Sequence, residues 1–366
     1  MKSPLDINKS PLVAIWETNY FCHAAALPVA QSEAGDDPLE LSTMEAEKLI
    51  RDLAQLEPPI FVFAGAEPLK RSDIYQLVHY AAKRNLHPVM ALRASPLLER
   101  TTIAELRHAG LSRLALTLDA ATPEVHNGLQ QNDGSYAHTL RTMHWANDWR
   151  LPIQINTNVC LANLGELEDM ASLLTTFRVL QWNLIFPIPT SAEVADELPT
   201  ASEFEAAFAR LHKIAGRVPF KIKTTEAPHY RRYLLQQRRT TQEEGIPGIL
   251  PVNEARASLV ISHTGELFPS PWLRVSAGNI RTHDLVDVYR TSELFTSLRD
   301  PGRLTGKCGE CNFKDVCGGS RSRALALAAD MFTEDASCVY RPPIYSRRKS
   351  KNGALGVADS AIVPEA

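Results

Sequence analysis

Over the first 230 residues, short apolar runs alternate with segments in which apolar positions recur every three or four residues. The short runs predict strands, and the periodic segments predict helices. Strands joined by helices of this length form parallel sheets with right-handed crossovers. The pattern therefore predicts an α/β fold with strands at residues 12–15, 60–63, 88–92, 114–118, 153–158 and 181–186.

The predicted helices lie between these strands. The first of them, over residues 42–56, begins with Ser42 and Glu45 at the spacing of a capping box. Six strand–helix pairs are too few to close an eightfold barrel, so we expect an open, partial (β/α)6 barrel of the TIM type. In such folds ligands bind at the carboxyl ends of the strands.

The pattern changes after the predicted barrel, which we place at residues 12–230 behind an N-terminal segment, 1–11. Residues 231–252 form a charge-rich linker, and residues 253–345 form a smaller domain. Within it, two apolar runs at 259–262 and 266–268 flank Thr264-Gly265, which predicts a hairpin. The tail, 346–366, is basic and then small and polar, which predicts disorder.

Composition and charge narrow the class of protein. The chain is 44% hydrophobic and 22% charged, with a net charge of −3, which is typical of a globular protein and does not favour nucleic-acid binding. The N-terminus lacks the apolar segment of a signal peptide, and no apolar run is long enough to span a membrane. We therefore expect a cytoplasmic protein with neither nucleic acid nor membrane as its partner, and with reduced thiols.

Four of the six cysteines fall in one C-terminal window, as Cys308, Cys311, Cys317 and Cys338. A C-x2-C-x5-C run with a fourth cysteine downstream has the spacing of metal ligands. Zinc and an iron–sulfur cluster both accept four cysteines, so the residues leave these two alternatives open. Disulfides are disfavoured in a reducing compartment.

The sequence resembles the radical S-adenosylmethionine (SAM) enzymes that carry a SPASM/Twitch-type C-terminal extension. Gly65-Ala66-Glu67-Pro68 resembles the Gly-Gly-Glu-Pro motif at the end of the second strand, and the four clustered cysteines resemble the ligands of an auxiliary 4Fe–4S cluster. The resemblance implies a radical SAM core followed by a small iron–sulfur domain with one such cluster. It also implies that SAM contacts Gly65, Ala66, Glu67, Pro68, Thr117 and Asp119.

The chain departs from that family in the loop after the first strand. Family members carry C-x3-C-x2-C there, and its three thiolates hold the primary 4Fe–4S cluster. Here the corresponding positions are Cys22, Ala26 and Val29. Neither alanine nor valine has a lone pair for iron, so Cys22 is at most one of three ligands and the primary cluster is in doubt.

Three hypotheses follow from this departure. In the main one, the chain is a degenerate family member that keeps the auxiliary cluster and binds SAM, a substrate or a partner without radical chemistry. In the first alternative, it is an active enzyme that modifies a peptide or tetrapyrrole-type substrate and works with an electron donor. In the second alternative, it is a structural scaffold held together by a zinc ion. The sequence identifies neither the small-molecule or peptide substrate nor a catalytic residue.

Overall fold

The computed structural model describes residues 6–20, 37–189, 191–241 and 254–343. Within them nine strands form one sheet in the order β7-β6-β5-β4-β3-β2-β1-β8-β9. The strands are β1 (Val13–Glu17), β2 (Ile60–Ala64), β3 (Pro88–Leu92), β4 (Arg113–Thr117), β5 (Ile153–Asn158), β6 (Val179–Ile185), β7 (Lys221–Thr225), β8 (Ser258–Ile261) and β9 (Leu267–Phe268). All neighbours pair in parallel except β8 and β9, which are antiparallel.

Helices connect successive strands. The helices are α1 (Thr43–Leu56), α2 (Ile74–Lys83), α3 (Arg100–Ala109), α4 (Pro123–Gln130), α5 (Ser135–Asp148), α6 (Leu167–Thr175), α7 (Ala192–Asp196), α8 (Ala201–Ala215), α9 (His229–Thr241), α10 (Glu254–Ala257), α11 (Leu285–Thr291), α12 (Glu293–Arg299), α13 (Gly306–Gly309) and α14 (Arg321–Ala328). The predicted parallel α/β architecture, a partial TIM-like barrel, is confirmed.

One face of the sheet packs on the helices and forms the main core. Alternate strand residues such as Trp16, Phe63 and Trp182 are fully buried there. The residues between them point to the opposite face, because successive side chains along a strand alternate. That opposite face, which we call the inner face, is therefore free to carry polar chemistry.

Two local predictions are confirmed. Helix α1 begins at a capping box, in which the Ser42 N–H donates to Glu45 Oε2 at 2.9 Å and the Glu45 N–H donates to Ser42 Oγ at 3.4 Å. The hairpin also forms, with Val260 opposite Phe268. Its first strand, β8, pairs with β1 as well, so the sheet continues from the barrel into the C-terminal part.

The sequence analysis missed strand β7. Its sequence, Lys-Ile-Lys-Thr-Thr, places two lysines in a five-residue strand and therefore lacks the apolar run that marked the other strands. Pairing with β6 supplies its backbone hydrogen bonds. Among the described residues, no helix combines the length and the apolar character needed to cross a bilayer.

Candidate cofactor sites

A turn over residues 65–68 follows strand β2 at the carboxyl edge of the sheet. Gly65 opens it with a φ of 135°, a conformation that favours glycine. Asn19, which lies just after β1, holds the turn in place. Its amide nitrogen donates to the Glu67 carbonyl at 2.6 Å, and its amide oxygen accepts from the Glu67 N–H at 3.3 Å.

The Glu67 side chain supplies a test of whether this turn fits SAM. Its Oε1 atom is buried and has no hydrogen-bond partner among the described residues. Burial raises the pKa of the Glu67 carboxyl. Since buried acceptors in proteins are nearly always hydrogen-bonded, this oxygen is suited to accept a hydrogen bond from a ligand's amino or hydroxyl group. The turn therefore fits the amino-acid end of SAM.

Gly65→Ala is expected to damage this turn. An added Cβ would lie 2.3 Å from Asn19 Oδ1, at a backbone φ that side chains rarely adopt. We expect a loss of about 1–3 kcal/mol in the free energy of unfolding and SAM binding weaker by about tenfold or more. Denaturant titration and calorimetry measure the two effects.

Gly128→Ala in helix α4 is the matched control, because nothing lies within 4 Å of its added Cβ. A helical Gly→Ala change is expected to raise stability by about 0.5–1 kcal/mol. Equal behaviour of the two variants would contradict the proposed role of Gly65.

Asp119 lies at the carboxyl end of β4 and is buried. Its Oδ1 accepts from the Asn158 N–H at 2.7 Å and the Asn158 amide at 3.2 Å, and its Oδ2 accepts from Gln130. Burial raises the pKa of the Asp119 carboxyl. Thr117 is half-buried two residues earlier, on the inner face beside Asn156. The SAM-binding roles of Thr117 and Asp119 remain predictions, and in the structure Asp119 orients Gln130 and Asn158.

A row of side-chain amides on the inner face was not predicted from the sequence. Gln154 donates to Asn156 at 2.8 Å, Asn183 donates to Asn156 at 3.1 Å, and Arg113 donates to Gln154 at 3.0 Å. Alternation of Asn and Gln with Ile in β5 was the available signal, because period-two alternation places one kind of residue on one face. These side chains give strands β4–β6 a polar inner surface.

The four clustered cysteines come together in space. Cys308, Cys311, Cys317 and Cys338 line one cavity in the C-terminal part. The cavity is also lined by His229, Arg232, Lys307, Lys314, Gly318, Gly319 and Tyr340. Segments distant in the chain thus contribute to one site, and three of its other side chains are cations.

Hydrogen-bond donors point at the sulfur atoms. Backbone N–H groups donate to three of them: Asp335 to Cys308 at 3.4 Å, Phe313 to Cys311 at 3.4 Å, and Gly319 to Cys317 at 3.5 Å. A guanidinium nitrogen of Arg321 lies 3.9 Å from Cys308 Sγ, and one of Arg232 lies 4.0 Å from Cys338 Sγ. Such donors stabilise negative charge on sulfur.

Burial raises the pKa of all four thiols, to about 11 for Cys308. A metal centre displaces the thiol proton when it binds, so burial does not prevent these four groups from acting as thiolate ligands. The cations and N–H donors around them fit a centre that carries net negative charge with its four thiolates. This donor set suits a 4Fe–4S cluster.

The spacing of the side chains bears on the choice between zinc and a cluster. A single zinc ion draws four ligands to about 2.0–2.3 Å from one point. Within the described ranges, no group of three or more His, Cys, Asp or Glu side chains is placed to hold a single metal ion. The four thiols nevertheless line one shared cavity, and a cluster takes one thiolate on each of its four irons.

Two glycines shape the cavity wall. Gly318 and Gly319 follow Cys317 with φ of 66° and 68°, which bends the chain back and directs the Gly319 N–H toward sulfur. A Cβ on Gly319 would lie 2.5 Å from Arg321 and 3.2 Å from Cys308 Sγ. The Cys-Gly-Gly sequence is therefore required by the close approach of backbone and thiols.

A buried polar junction ties this site to the barrel. Arg323 donates to the Glu226 carbonyl at 2.9 Å and to the Phe186 carbonyl at 3.1 Å, beyond the ends of β7 and β6. Its guanidinium also lies 3.6 Å from the carboxylate of Asp335. Glu226 accepts from the hydroxyls of Ser320 and Ser322. The cysteine cavity is thus fixed relative to the carboxyl edge of the sheet.

Fold and sites define a class of protein: a partial parallel barrel with a tight turn after β2 that buries an unpartnered carboxylate oxygen, joined to a C-terminal part with four thiols around one cavity. The family model of the Radical SAM superfamily matches residues 20–174. The AdoMet-dependent heme synthase of Methanosarcina barkeri is 30% identical over 92% of this chain and 98% of its own length. The chain belongs to the radical SAM superfamily, among relatives with SPASM/Twitch-type C-terminal parts.

Other relatives extend the comparison. The mycofactocin maturase MftC of Mycobacterium ulcerans is 27% identical over 88% of this chain and 85% of its own length. Streptococcus suis SuiB bound to S-adenosylmethionine has a TM-score of 0.70 at 12% identity, covering 91% of this chain and 78% of that one, which shows the shared fold. Membership in the family implies SAM and a 4Fe–4S cluster as cofactors. The relatives support the alternative of an active enzyme better than the main hypothesis of a degenerate member.

The residues of the first-strand loop do not fit the family's primary cluster. Cys22, Ala26 and Val29 lie outside the described residues. The disagreement with the family's C-x3-C-x2-C motif therefore rests on the residue types at these three positions. Cys22 is the one cysteine in the first 150 residues of the sequence. A single thiolate cannot hold three irons, so the residues at these positions do not fit the primary cluster.

Proposed function

We propose that this chain is a SAM-binding iron–sulfur enzyme that acts on a tetrapyrrole-type substrate. The observation that carries the proposal is the single cavity lined by Cys308, Cys311, Cys317 and Cys338. These residues would hold one auxiliary 4Fe–4S cluster, which when bound supplies one-electron transfer. The reducing cytoplasm, where we place the chain, keeps the thiols available.

In this proposal SAM binds at the carboxyl edge of the sheet. The 65–68 turn receives its amino-acid end, with the unpartnered Oε1 of Glu67 as an acceptor. Gly65, Ala66 and Pro68 shape the turn after β2, and Thr117 and Asp119 lie at the end of β4, two strands away across β3. Both groups lie at the carboxyl edge of the same parallel sheet, which supports one binding surface along that edge.

The inner face of the sheet supports an amphipathic, anionic substrate. On β1–β3 the half-buried positions of this face are apolar, such as Ile15, Val62 and Ala91. On β4–β6 they carry the amide row and Arg113, whose pKa is lowered by burial. A tetrapyrrole combines a flat apolar ring with carboxylate groups and matches both halves. The relatives named as heme synthases favour this substrate over a peptide.

Binding of SAM and porphyrin to the anaerobically reconstituted chain tests the proposal. We expect saturable heat with SAM and a shift of the porphyrin absorption band on binding. Asn156→Leu, which removes the amide shared by Gln154 and Asn183, should weaken porphyrin binding while SAM still binds. Absence of both signals at millimolar SAM and saturating porphyrin would overturn the proposed function.

A second candidate function is binding without radical chemistry, and the residue types at positions 22, 26 and 29 favour it. The two candidates differ in one product, 5′-deoxyadenosine. Its release from SAM in the presence of dithionite and substrate would establish the active enzyme, and would require ligands from a partner or a small molecule. An electron donor would then be a further partner.

The double variant Ala26→Cys with Val29→Cys is expected to restore the family's C-x3-C-x2-C spacing. Both changes alter side-chain volume little, so we expect the fold to tolerate them. Iron should rise from about four to about eight per chain, and dithionite should then cleave SAM. Each single variant is the control and should stay at one cluster. A double variant that also stays at one cluster would show that Cys22 is not at the first position of the triad.

A further inference from the structure

His229, the first residue of helix α9, lies in the wall of the four-cysteine cavity. Its side chain is buried, at 1% exposed. The cysteine spacing gave no sign of this position, because His229 is 79 residues from the nearest of the four cysteines in the chain. The fold alone brings it to the thiols.

Both ring nitrogens of His229 lack a hydrogen-bond partner among the described residues. The carboxylate oxygen Oδ2 of Asp335 lies 3.8 Å from Nδ1, beyond hydrogen-bond distance. The ring cannot turn freely to find another partner, since it stacks on Phe204 at 5.2 Å and meets Phe208 edge-on at 4.9 Å. A buried imidazole held in this way requires a partner, and the cavity is where one can bind.

A cluster held by the four cysteines would offer that partner. Four thiolates occupy all four irons, so no iron remains for imidazole nitrogen. The sulfur atoms, however, carry negative charge and accept hydrogen bonds. Neutral histidine has one N–H to donate.

We infer that His229 donates a hydrogen bond to a sulfur atom of the 4Fe–4S cluster and raises its reduction potential. The inference rests on the proposed function, because it needs the cluster at the four cysteines. Reduction adds negative charge to the cluster, and an N–H donor stabilises the more negative state. His229 is thus a residue that tunes the cluster rather than one that ligates it.

The test compares His229→Phe and His229→Gln in the full-length chain, reconstituted anaerobically with iron and sulfide. Phenylalanine keeps the aromatic packing on Phe204 and Phe208 and removes the donor, whereas glutamine keeps an N–H. We expect both to hold the wild-type amount of iron. In a redox titration followed by electron paramagnetic resonance (EPR), the midpoint potential should fall in His229→Phe and recover in part in His229→Gln.

His126→Phe is the matched control, since His126 is equally buried, at 1% exposed, but lies in the barrel beside Asp119. It should leave the midpoint potential unchanged. A wild-type potential in His229→Phe would overturn the inference, as would an equal shift in the control.

If His229→Phe loses its cluster, a measurement on the wild-type protein tests whether His229 donates to the cluster. With ¹⁵N-labelled histidine, pulsed EPR of the reduced cluster should show a weak nitrogen coupling together with an exchangeable deuterium coupling. Absence of both, or a nitrogen coupling strong enough for direct ligation of iron, would overturn the role of His229. Wild-type protein that binds zinc without sulfide would instead refute the proposed function itself.

Discussion

Cys311→Ala is expected to remove the iron–sulfur cluster. The four thiols share one cavity, and the loss of one leaves an iron without a protein ligand at the half-buried side of the site. Iron in the anaerobically reconstituted protein should fall from about four per chain to nearly none. Colorimetric assays of iron and acid-labile sulfide measure the loss, and the brown absorption of the cluster should disappear with it.

Cys160→Ala is the control for that change. Cys160 is also buried, but it lies after β5, where its N–H donates to Asn163, and it is not among the residues of the cavity. It should keep its full iron content. Cys311→Ala protein that still bound four irons, or wild-type protein with stoichiometric zinc and no sulfide, would refute the cluster assignment.

Arg323→Met is expected to destabilise the whole protein. Arg323 is 2% exposed and faces Asp335, which is 0% exposed, at 3.6 Å. Methionine would leave that carboxylate short of a counter-charge and would remove the donor to the carbonyls of Glu226 and Phe186. Breaking a buried ion pair from one side costs about 3–5 kcal/mol. A lower denaturation midpoint, followed by circular dichroism, should report the loss.

Arg100→Met controls for removal of an arginine as such. Its ion pair with Asp148 at 3.3 Å is exposed, with side chains 63% and 57% accessible. Exposed pairs of this kind contribute less than about 1 kcal/mol. Equal destabilisation of the two variants would show that the loss of stability in Arg323→Met does not come from the burial of Arg323.

Sequence reasoning worked where structure is decided by near neighbours. The capping box of Ser42 and Glu45 spans three residues, and the apolar runs of the first six strands are local as well. The cysteine spacing also identified the C-terminal site, since three of its four thiols lie within ten residues of one another. Each of these signals is complete within a short window of sequence.

What escaped prediction depends on contacts between distant segments. Strand β7 has two lysines among its five residues and therefore lacks the apolar run that predicts a strand. It forms by pairing with β6. The hydrogen bonds that Asp119 accepts from Gln130 and Asn158 were not foreseen, and its role toward a ligand stays a prediction. His229 reaches the thiols only because α9 folds against the C-terminal part. No property of these residues taken singly carries that information.

The pairing of β1 with β8 has a consequence for how the chain is made. β1 emerges from the ribosome first, and β8, which pairs Ser258 with Val13, emerges only after the rest of the barrel. Until then β1 is an open edge of a parallel sheet, and such edges recruit other chains. Synthesis of the C-terminal part therefore covers the β1 edge of the sheet and also brings in the four clustered cysteines.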